Sequence, residues 1–240
     1  MKATNWEFQN RALIFGLVFA ISFPLYAFDP QNSTAVVGSW LGGKLRIDGD
    51  LIIRVLFALA AVVMIVAAFI RTWASAYLHA GVVYASEVKT ASLVADGPYR
   101  RVRNPLYLAN IMMAIAMGAM MSRSGFIVAV LVMTVFCYRL ILREEAELQM
   151  TQGERYRQYR ERAPRLWPSL RARVPSSGAQ PRWKDGFVAE GWYWGFALAL
   201  VVFAITLNLK LFFVILGASV ALFWVSSIVL QKKSKSHWAE

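Results

Sequence analysis

The chain has 240 residues, of which 58% are hydrophobic, and it carries a formal net charge of +12 at pH 7. With a mean hydropathy of +0.47, this composition is too apolar for an ordinary soluble domain and indicates an integral membrane protein. The positive charge borders apolar segments, where anionic lipid headgroups lie, so we expect the membrane as partner and no nucleic acid.

Six apolar segments are long enough for helices that cross a hydrocarbon core of about 30 Å, which takes roughly 17 to 25 residues. Their apolar residues fall on every face instead of alternating, which favours helices over a β-barrel. In chain order the segments are 11–28, 51–70, 105–121, 125–142, 192–207 and 211–230. The sequence therefore predicts an all-α, polytopic membrane protein with about six transmembrane helices.

Lys and Arg residues concentrate on one side of such a bundle. The residues before the first segment, the intervals 71–104 and 143–187, and the C-terminal end are rich in them, whereas the opposite side receives few. Because basic flanks are retained in the cytoplasm, we expect both termini to be cytoplasmic and the protein to lie in the inner or cell membrane. No small-residue cleavage pattern follows the first segment, so we expect it to be kept as a helix.

Cysteine and histidine are scarce. Cys137 is the only cysteine and lies inside the fourth segment, and His79 and His237 are the only histidines. We therefore expect neither an intrachain disulfide nor a metal site.

A basic loop with two prolines precedes the third segment and reads Gly97-Pro98-Tyr99-Arg100-Arg101-Val102-Arg103-Asn104-Pro105-Leu106-Tyr107. Asn is a favoured helix N-cap and Pro suits the first helical position, so a helix is predicted to begin at Pro105. The simplest interpretation is that Asn104 caps this helix and the arginines mark the membrane interface. A binding role for the loop is the alternative.

The fourth segment ends in Arg143, Glu144 and Glu145, and carboxylates at a membrane boundary are costly unless they are paired or used. A turn at 122–125 joins segments three and four into a helical hairpin over 105–142, which returns both carboxylates to the depth of Asn104. They either belong to an ordinary cytoplasmic interfacial helix over 143–162 or form a polar site with that asparagine.

These motifs resemble the isoprenylcysteine carboxyl methyltransferase and phospholipid methyltransferase family of integral membrane enzymes. The resemblance covers about residues 65–168. It rests on the residues 97–100, the residues 103–107, the Glu144-Glu145 pair and Tyr156-Arg157-Gln158-Tyr159, with the hairpin between them, and the upstream residues 71–74 and 93–94 also look like the family. It implies methyl transfer from S-adenosylmethionine to a lipophilic acceptor, a carboxylate or amine of a lipid or prenylated compound, at the cytoplasmic face.

The resemblance also implies a set of site residues. The cofactor site would contain Leu93, Gly97, Tyr99, Asn104, Pro105, Tyr107, Glu144 and Glu145. Glu145 would also belong to the catalytic residues, and we add Arg143 as a residue that could orient an anionic acceptor.

Two other functions stay open on the sequence. Sterol reductases resemble this group in their terminal region, so an NADPH-dependent membrane reductase is one alternative, although the chain has no Gly-x-Gly-x-x-Gly motif. A non-enzymatic membrane protein that binds lipids on the same scaffold is the other.

Four regions follow from this interpretation. Residues 1–70 hold the first two transmembrane helices, and residues 71–174 form the catalytic core with the cofactor loop, the hairpin and the cytoplasmic helix. Residues 175–191, which begin with a stretch rich in Pro, Ser and Gly, form a linker. Residues 192–240 form a C-terminal helix pair whose expected role is packing or oligomer contact.

Overall fold

The computed structural model describes residues 1–78 and 95–236, and all of its regular elements are helical. The α-helices, numbered in chain order, are α1 (Asn5–Gln9), α2 (Arg11–Ser22), α3 (Ser33–Leu45), α4 (Gly49–Leu78), α5 (Pro105–Gly118), α6 (Arg123–Arg162), α7 (Trp183–Thr206) and α8 (Leu209–Ser236). Short 3₁₀ turns cover Phe23–Ala27 and Gly97–Arg100. The predicted all-α class is confirmed.

Three of the described helices, α4, α6 and α7, are long and apolar enough to cross a membrane. Shorter apolar stretches cover Arg11–Ala27, Pro105–Gly118 and Leu209–Leu222. Each of these six elements overlaps one of the predicted segments, so the prediction of an integral membrane protein with a helical hairpin is confirmed. Helix α7 begins at Trp183, well before the predicted start at 192, because charged residues in its first turns conceal the helix from a search for apolar runs.

Helix α3 was not expected, because its residues fall in the interval between the first two predicted segments. Its sequence is rich in small residues and has no long apolar run. Gly38 lies so close to α4 that a Cβ at this position would be 2.4 Å from a side-chain carbon of Ile53. Close packing of small residues against α4 therefore stabilises α3, and hydropathy alone does not reveal it.

Two hydrophobic cores share helix α5. The first lies among α4, α5, α7 and α8, and its large side chains include Phe57, Met64, Met117, Tyr193, Leu200 and Phe212. The second lies among α1, α2, α5 and α6, and includes Phe8, Tyr107, Met133, Phe136 and Leu140. Helix α5 is therefore packed against apolar side chains on two sides, and Tyr107 anchors its first turn in the second core.

The polar helix expected at 143–162 is present, but it continues α6 and the break comes later, at Gly153. This residue has φ 52° and ψ −122°, a backbone conformation that residues other than glycine rarely adopt. Beyond the break, Tyr156 and Tyr159 are buried and pack with Leu148, which precedes it. The amide of Arg103 donates to the carbonyl of Pro164 at 2.8 Å, so the chain has returned to the start of α5.

A buried ion pair joins α7 to the rest of the bundle. Arg71 of α4 donates Nε–H to Glu190 of α7 at 2.5 Å, and both side chains are buried. Ser75 donates to the other carboxylate oxygen at 2.6 Å, and Arg71 also donates to the side-chain oxygen of Asn110 on α5 at 2.6 Å. The C-terminal helix pair is thus connected to the centre of the protein by charge as well as by apolar packing.

We predict that Gly153→Ala destabilises the protein by about 1–3 kcal/mol, because a Cβ strains the backbone conformation on which the chain return depends. The matched control is Gly191→Ala, in the interior of α7, where no neighbouring atom would contact the added Cβ. Alanine is favoured there by up to about 1 kcal/mol. Thermal unfolding in detergent measures both variants. Equal unfolding midpoints of the two variants would contradict the need for glycine at position 153.

We predict that Glu190→Ala destabilises the bundle by about 3–5 kcal/mol, because it removes the carboxylate from a buried arginine. The control is Asp185→Ala, on the same helix, which breaks an exposed pair with Arg182 and should cost less than about 1 kcal/mol. Unfolding by dodecyl sulfate in mixed micelles compares the two. Similar losses of unfolding free energy in both variants would show that the buried pair contributes no more to stability than the exposed one.

Candidate active site

The motif Gly97–Arg100 forms a 3₁₀ turn that packs against α4. Gly97 has φ +59°, and a Cβ at this position would lie 2.3 Å from the ring of Tyr77. Only glycine satisfies both conditions, since it lacks a side chain and adopts positive φ readily. On another side, the hydroxyl of Tyr159 donates to the carbonyl oxygen of Tyr99 at 2.9 Å. Gly97 therefore determines the shape of the loop, and Tyr159 holds it in place.

The hydroxyl of Tyr99 is buried and has no hydrogen-bond partner among the described residues. Burial raises the pKa of Tyr99 well above its usual range, and neighbouring Tyr159 and Glu144 raise it further. The phenol therefore stays protonated and keeps an unused donor. Because buried polar atoms normally have partners, an unused donor near a carboxylate indicates a place where a ligand could bind.

Helix α5 begins at Pro105 as predicted, but the side chain of Asn104 makes no capping hydrogen bond. Its Nδ2 instead donates to Glu145 Oε1 at 3.3 Å and to the carbonyl oxygen of Arg165 at 3.1 Å. The interpretation of Asn104 as a simple helix cap is therefore wrong. The hairpin has brought this asparagine and the carboxylate at the far end of α6 into contact.

Glu145 is buried at the centre of an ion-pair cluster. Arg165 approaches both of its carboxylate oxygens, at 2.8 Å and 3.1 Å, and Arg103 lies 3.3 Å away. Hydrogen bonding to Glu145 raises the pKa of Arg165. The sequence did not single out Arg165, because one arginine in a basic stretch carries no local signal of a buried partner.

Glu144, the neighbouring carboxylate, has a different environment. Its Oε1 accepts a hydrogen bond from the hydroxyl of Tyr107 at 2.6 Å, and it forms no ion pair among the described residues. Adjacent residues on a helix point about 100° apart, so one carboxylate contacts the α5 side chain while the other contacts the two arginines. Each member of the predicted Glu-Glu motif therefore meets a residue of the motif 103–107.

The remaining predicted site residues lie in three different places. Arg143 faces away from the carboxylate cluster: it pairs with Glu147 at 2.9 Å, and its guanidinium lies 5.1 Å from the ring centre of Phe8. Pro105 is the buried first residue of α5. Leu93 lies outside the described residues.

Asp96, which precedes the 3₁₀ turn, connects the loop to residues 176 and 177. Its carboxylate accepts hydrogen bonds from Ser176 Oγ at 2.7 Å and from the Ser177 amide at 3.0 Å, and the Ser177 hydroxyl donates as well. Burial opposes ionisation, but the hydrogen bonds outweigh it and lower the pKa of Asp96 below its ordinary value of 3.8.

The apolar helices and the polar cluster at the open end of the hairpin define an integral membrane protein with a charged, largely buried site at one face. Residues 55–155 match the family model described as phospholipid methyltransferase. This segment contains the loop, the hairpin and both carboxylates, whereas Arg165 and Glu190 lie beyond it. The resemblance drawn from the motifs is confirmed, because residues 55–155 are similar to this family of membrane methyltransferases.

The chain is also similar to the cobalt-zinc-cadmium resistance protein CzcN of Cupriavidus metallidurans. The two are 30% identical over 138 residues, which span 57% of this chain and 60% of that protein. No solved structure matches the chain. Within residues 1–78 and 95–236, no three His, Cys, Asp or Glu side chains are grouped so that they could hold a metal ion.

We predict that Asp96→Asn lowers the thermal unfolding midpoint at neutral pH. Both carboxylate oxygens of Asp96 accept hydrogen bonds from Ser176 and Ser177, whereas the amide of asparagine has one acceptor oxygen. The pKa of Asp96 is lower in the folded than in the unfolded protein. The charged form of Asp96 therefore stabilises the folded protein above pH 3.8. This contribution is lost as the pH falls through the lower pKa that Asp96 has in the folded protein.

The difference in midpoint between wild type and Asp96→Asn should accordingly shrink on acidification from neutral pH to below 3.8. The exposed residue Asp50 supplies the control variant, Asp50→Asn, which should match the wild type throughout. A difference that does not change with pH would contradict the assigned role of the Asp96 charge.

Proposed function

We propose that the protein transfers a methyl group from S-adenosylmethionine to a lipophilic acceptor, a carboxylate or amine of a membrane lipid or prenylated compound. We place the reaction on the arginine-rich side and take that side to be cytoplasmic, in the inner or cell membrane. The observation that carries the proposal is the pair of contacts Tyr107–Glu144 and Asn104–Glu145, which joins two motifs of a methyltransferase family across the hairpin.

The residues of the site fit a cationic cofactor. Glu144 forms no ion pair among the described residues, and Tyr107 fixes the position of one of its oxygens. The unused hydroxyl of Tyr99 adds a buried donor nearby. A carboxylate attracts a sulfonium or ammonium group more strongly where water is excluded. We therefore assign Tyr99, Tyr107 and Glu144 to cofactor binding, and Gly97, Asn104 and Pro105 to the shape of the loop.

Glu145 has a separate task in this proposal. Its charge is shared with Arg103 and Arg165, so it holds the loop before α5 and the segment after α6 together behind the cofactor site. It acts as a positioning residue, because its carboxylate is already engaged. The expected role of Arg143 in orienting an anionic acceptor stays a prediction, and its contacts with Glu147 and Phe8 do not add to it.

The cofactor would supply an electrophilic methyl group. A carboxylate or free amine attacks such a group without prior proton transfer, so the protein needs no strong general base. Its contribution is to align the two reactants and to exclude water. The exposed apolar side chains of α6, among them Leu131, Val135 and Tyr138, would give a lipophilic acceptor a path from the bilayer towards the polar cluster.

Ligand titration of the detergent-purified protein tests the proposal. We predict that S-adenosylmethionine and S-adenosylhomocysteine bind, and that Tyr107→Phe weakens binding of the former about tenfold or more, because it frees Glu144 from its hydrogen bond. The matched control is Tyr26→Phe, which removes a hydroxyl that donates to the carbonyl of Met120 at the opposite end of α5. It should bind like the wild type.

Two further variants sharpen the result. Glu144→Gln should weaken the binding of S-adenosylmethionine more than that of S-adenosylhomocysteine. The variant removes a negative charge, and only the sulfur of S-adenosylmethionine is cationic. Glu145→Ala should lose binding together with stability, because two arginines lose their carboxylate. NADPH serves as the competing ligand: its binding, or the absence of binding by both sulfur compounds, would overturn the methyltransferase proposal in favour of a reductase or a non-enzymatic lipid-binding protein.

A further inference from the structure

A cavity of about 850 Å³ opens next to Arg103, one of the partners of Glu145. It lies between the last turn of α6 and the segment that follows. The arginines that line it are Arg103, Arg160, Arg162, Arg171 and Arg173. No residue of the proposed cofactor set lines this cavity, so it is a separate site.

The cavity carries a strong positive charge. Within the described residues, Arg160, Arg162, Arg171 and Arg173 form no ion pair, and Glu161 is the acidic residue in the lining. Arg103 shares its charge with Glu145, but its Nε–H is buried and has no acceptor in the described part of the chain. A cationic sulfonium compound would be repelled here. Arginine forks suit phosphate oxygens, which can accept several N–H groups at once.

The cavity also lies close to the start of the apolar helix α5. After the break at Gly153, the last part of α6 lies next to Arg103, which is two residues before the start of α5. The Nη1–H of Arg103 donates to the carbonyl oxygen of Arg160 at 3.1 Å. Two apolar side chains next to the arginines are exposed, Trp167 at 86% and Leu170 at 96%. Tryptophan is favoured at membrane interfaces, where its ring lies among the headgroups.

We propose that this arginine cavity binds the phosphate headgroup of an anionic membrane lipid, with Trp167 and Leu170 inserted into the adjacent interface. The inference does not depend on the methyltransferase proposal, because it involves different residues and a ligand of opposite charge. A lipid is the occupant because a phosphate site and an apolar anchor lie side by side at the boundary of the apolar helices.

The test is a titration of the detergent-purified full chain with dioctanoyl phosphatidylglycerol and with zwitterionic dioctanoyl phosphatidylcholine. The cavity variant is Arg160→Gln/Arg162→Gln/Arg171→Gln. The control is Arg155→Gln/Arg157→Gln/Lys184→Gln, which removes the same charge from exposed positions outside the cavity. The wild type and the control should prefer the anionic lipid, and the cavity variant should bind it at least about tenfold more weakly.

Each opposite result would overturn the proposal. Equal affinity of the wild type for both lipids would contradict a site for the anionic headgroup. Equal losses of phosphatidylglycerol affinity in both triple variants would show only a general attraction between the lipid and the positive charge of the protein. Displacement of the lipid by equimolar inorganic phosphate or polyglutamate would assign the cavity to a soluble anion or an acidic protein. S-adenosylmethionine binding is measured on the same samples, so a failure of the methyltransferase proposal is recorded separately.

A labelled cysteine tests the membrane contact directly. Cys137 is the only cysteine in the sequence, so Leu170→Cys in a Cys137→Ala background places one environment-sensitive dye beside the cavity. In nanodiscs that contain phosphatidylglycerol, the dye emission should shift to the blue relative to the same dye attached to free cysteine in buffer. An emission spectrum equal to that in buffer would show that Leu170 stays in water and would overturn the anchoring part of the proposal.

Discussion

The arrangement of the site depends on a carboxylate that cannot remain unpaired at a membrane boundary. Glu145 is buried where the apolar part of α6 gives way to its polar part, and an isolated charge there would be costly. Arg103 and Arg165 compensate it, and Asn104 donates a further hydrogen bond. Because these partners come from the loop before α5 and the segment after α6, one carboxylate joins three parts of the chain.

The same constraint operates a second time deeper in the bundle. Glu190 is fully buried on α7, and it is compensated by Arg71 of α4, which also bonds to Asn110 of α5. Breaking such a pair leaves a buried charge, so these helices must pack together for both charges to be compensated. The C-terminal helices therefore complete the central core next to the domain that matches the methyltransferase family.

Groups of opposite charge occupy two places near the start of α5. The first place holds Glu144, which accepts a hydrogen bond from Tyr107, and the second is the cavity that is lined by arginines. In our proposals, the first place takes the cationic cofactor and the second takes a lipid phosphate. The two ligands would be sorted by sign of charge, and each would bind without competing for the residues of the other.

The sequence by itself determined the all-α membrane class, the hairpin, the start of α5 at Pro105 and the resemblance to a methyltransferase family, because these depend on local composition, on turn residues and on short ordered motifs. It also indicated that Glu144 and Glu145 would return to the level of Asn104. It did not reveal α3, which is stabilised by small residues against α4, or the continuation of α6 as far as Gly153.

Only the tertiary structure decided which partner each charge has. The buried pairs Arg165–Glu145 and Arg71–Glu190 join residues 20 and 119 positions apart in the chain. No periodicity or spacing connects such residues, since their contact exists only after the helices have packed. For the same physical reason, the different roles of Glu144 and Glu145, identical neighbours in the sequence, follow from the direction in which the helix points each one.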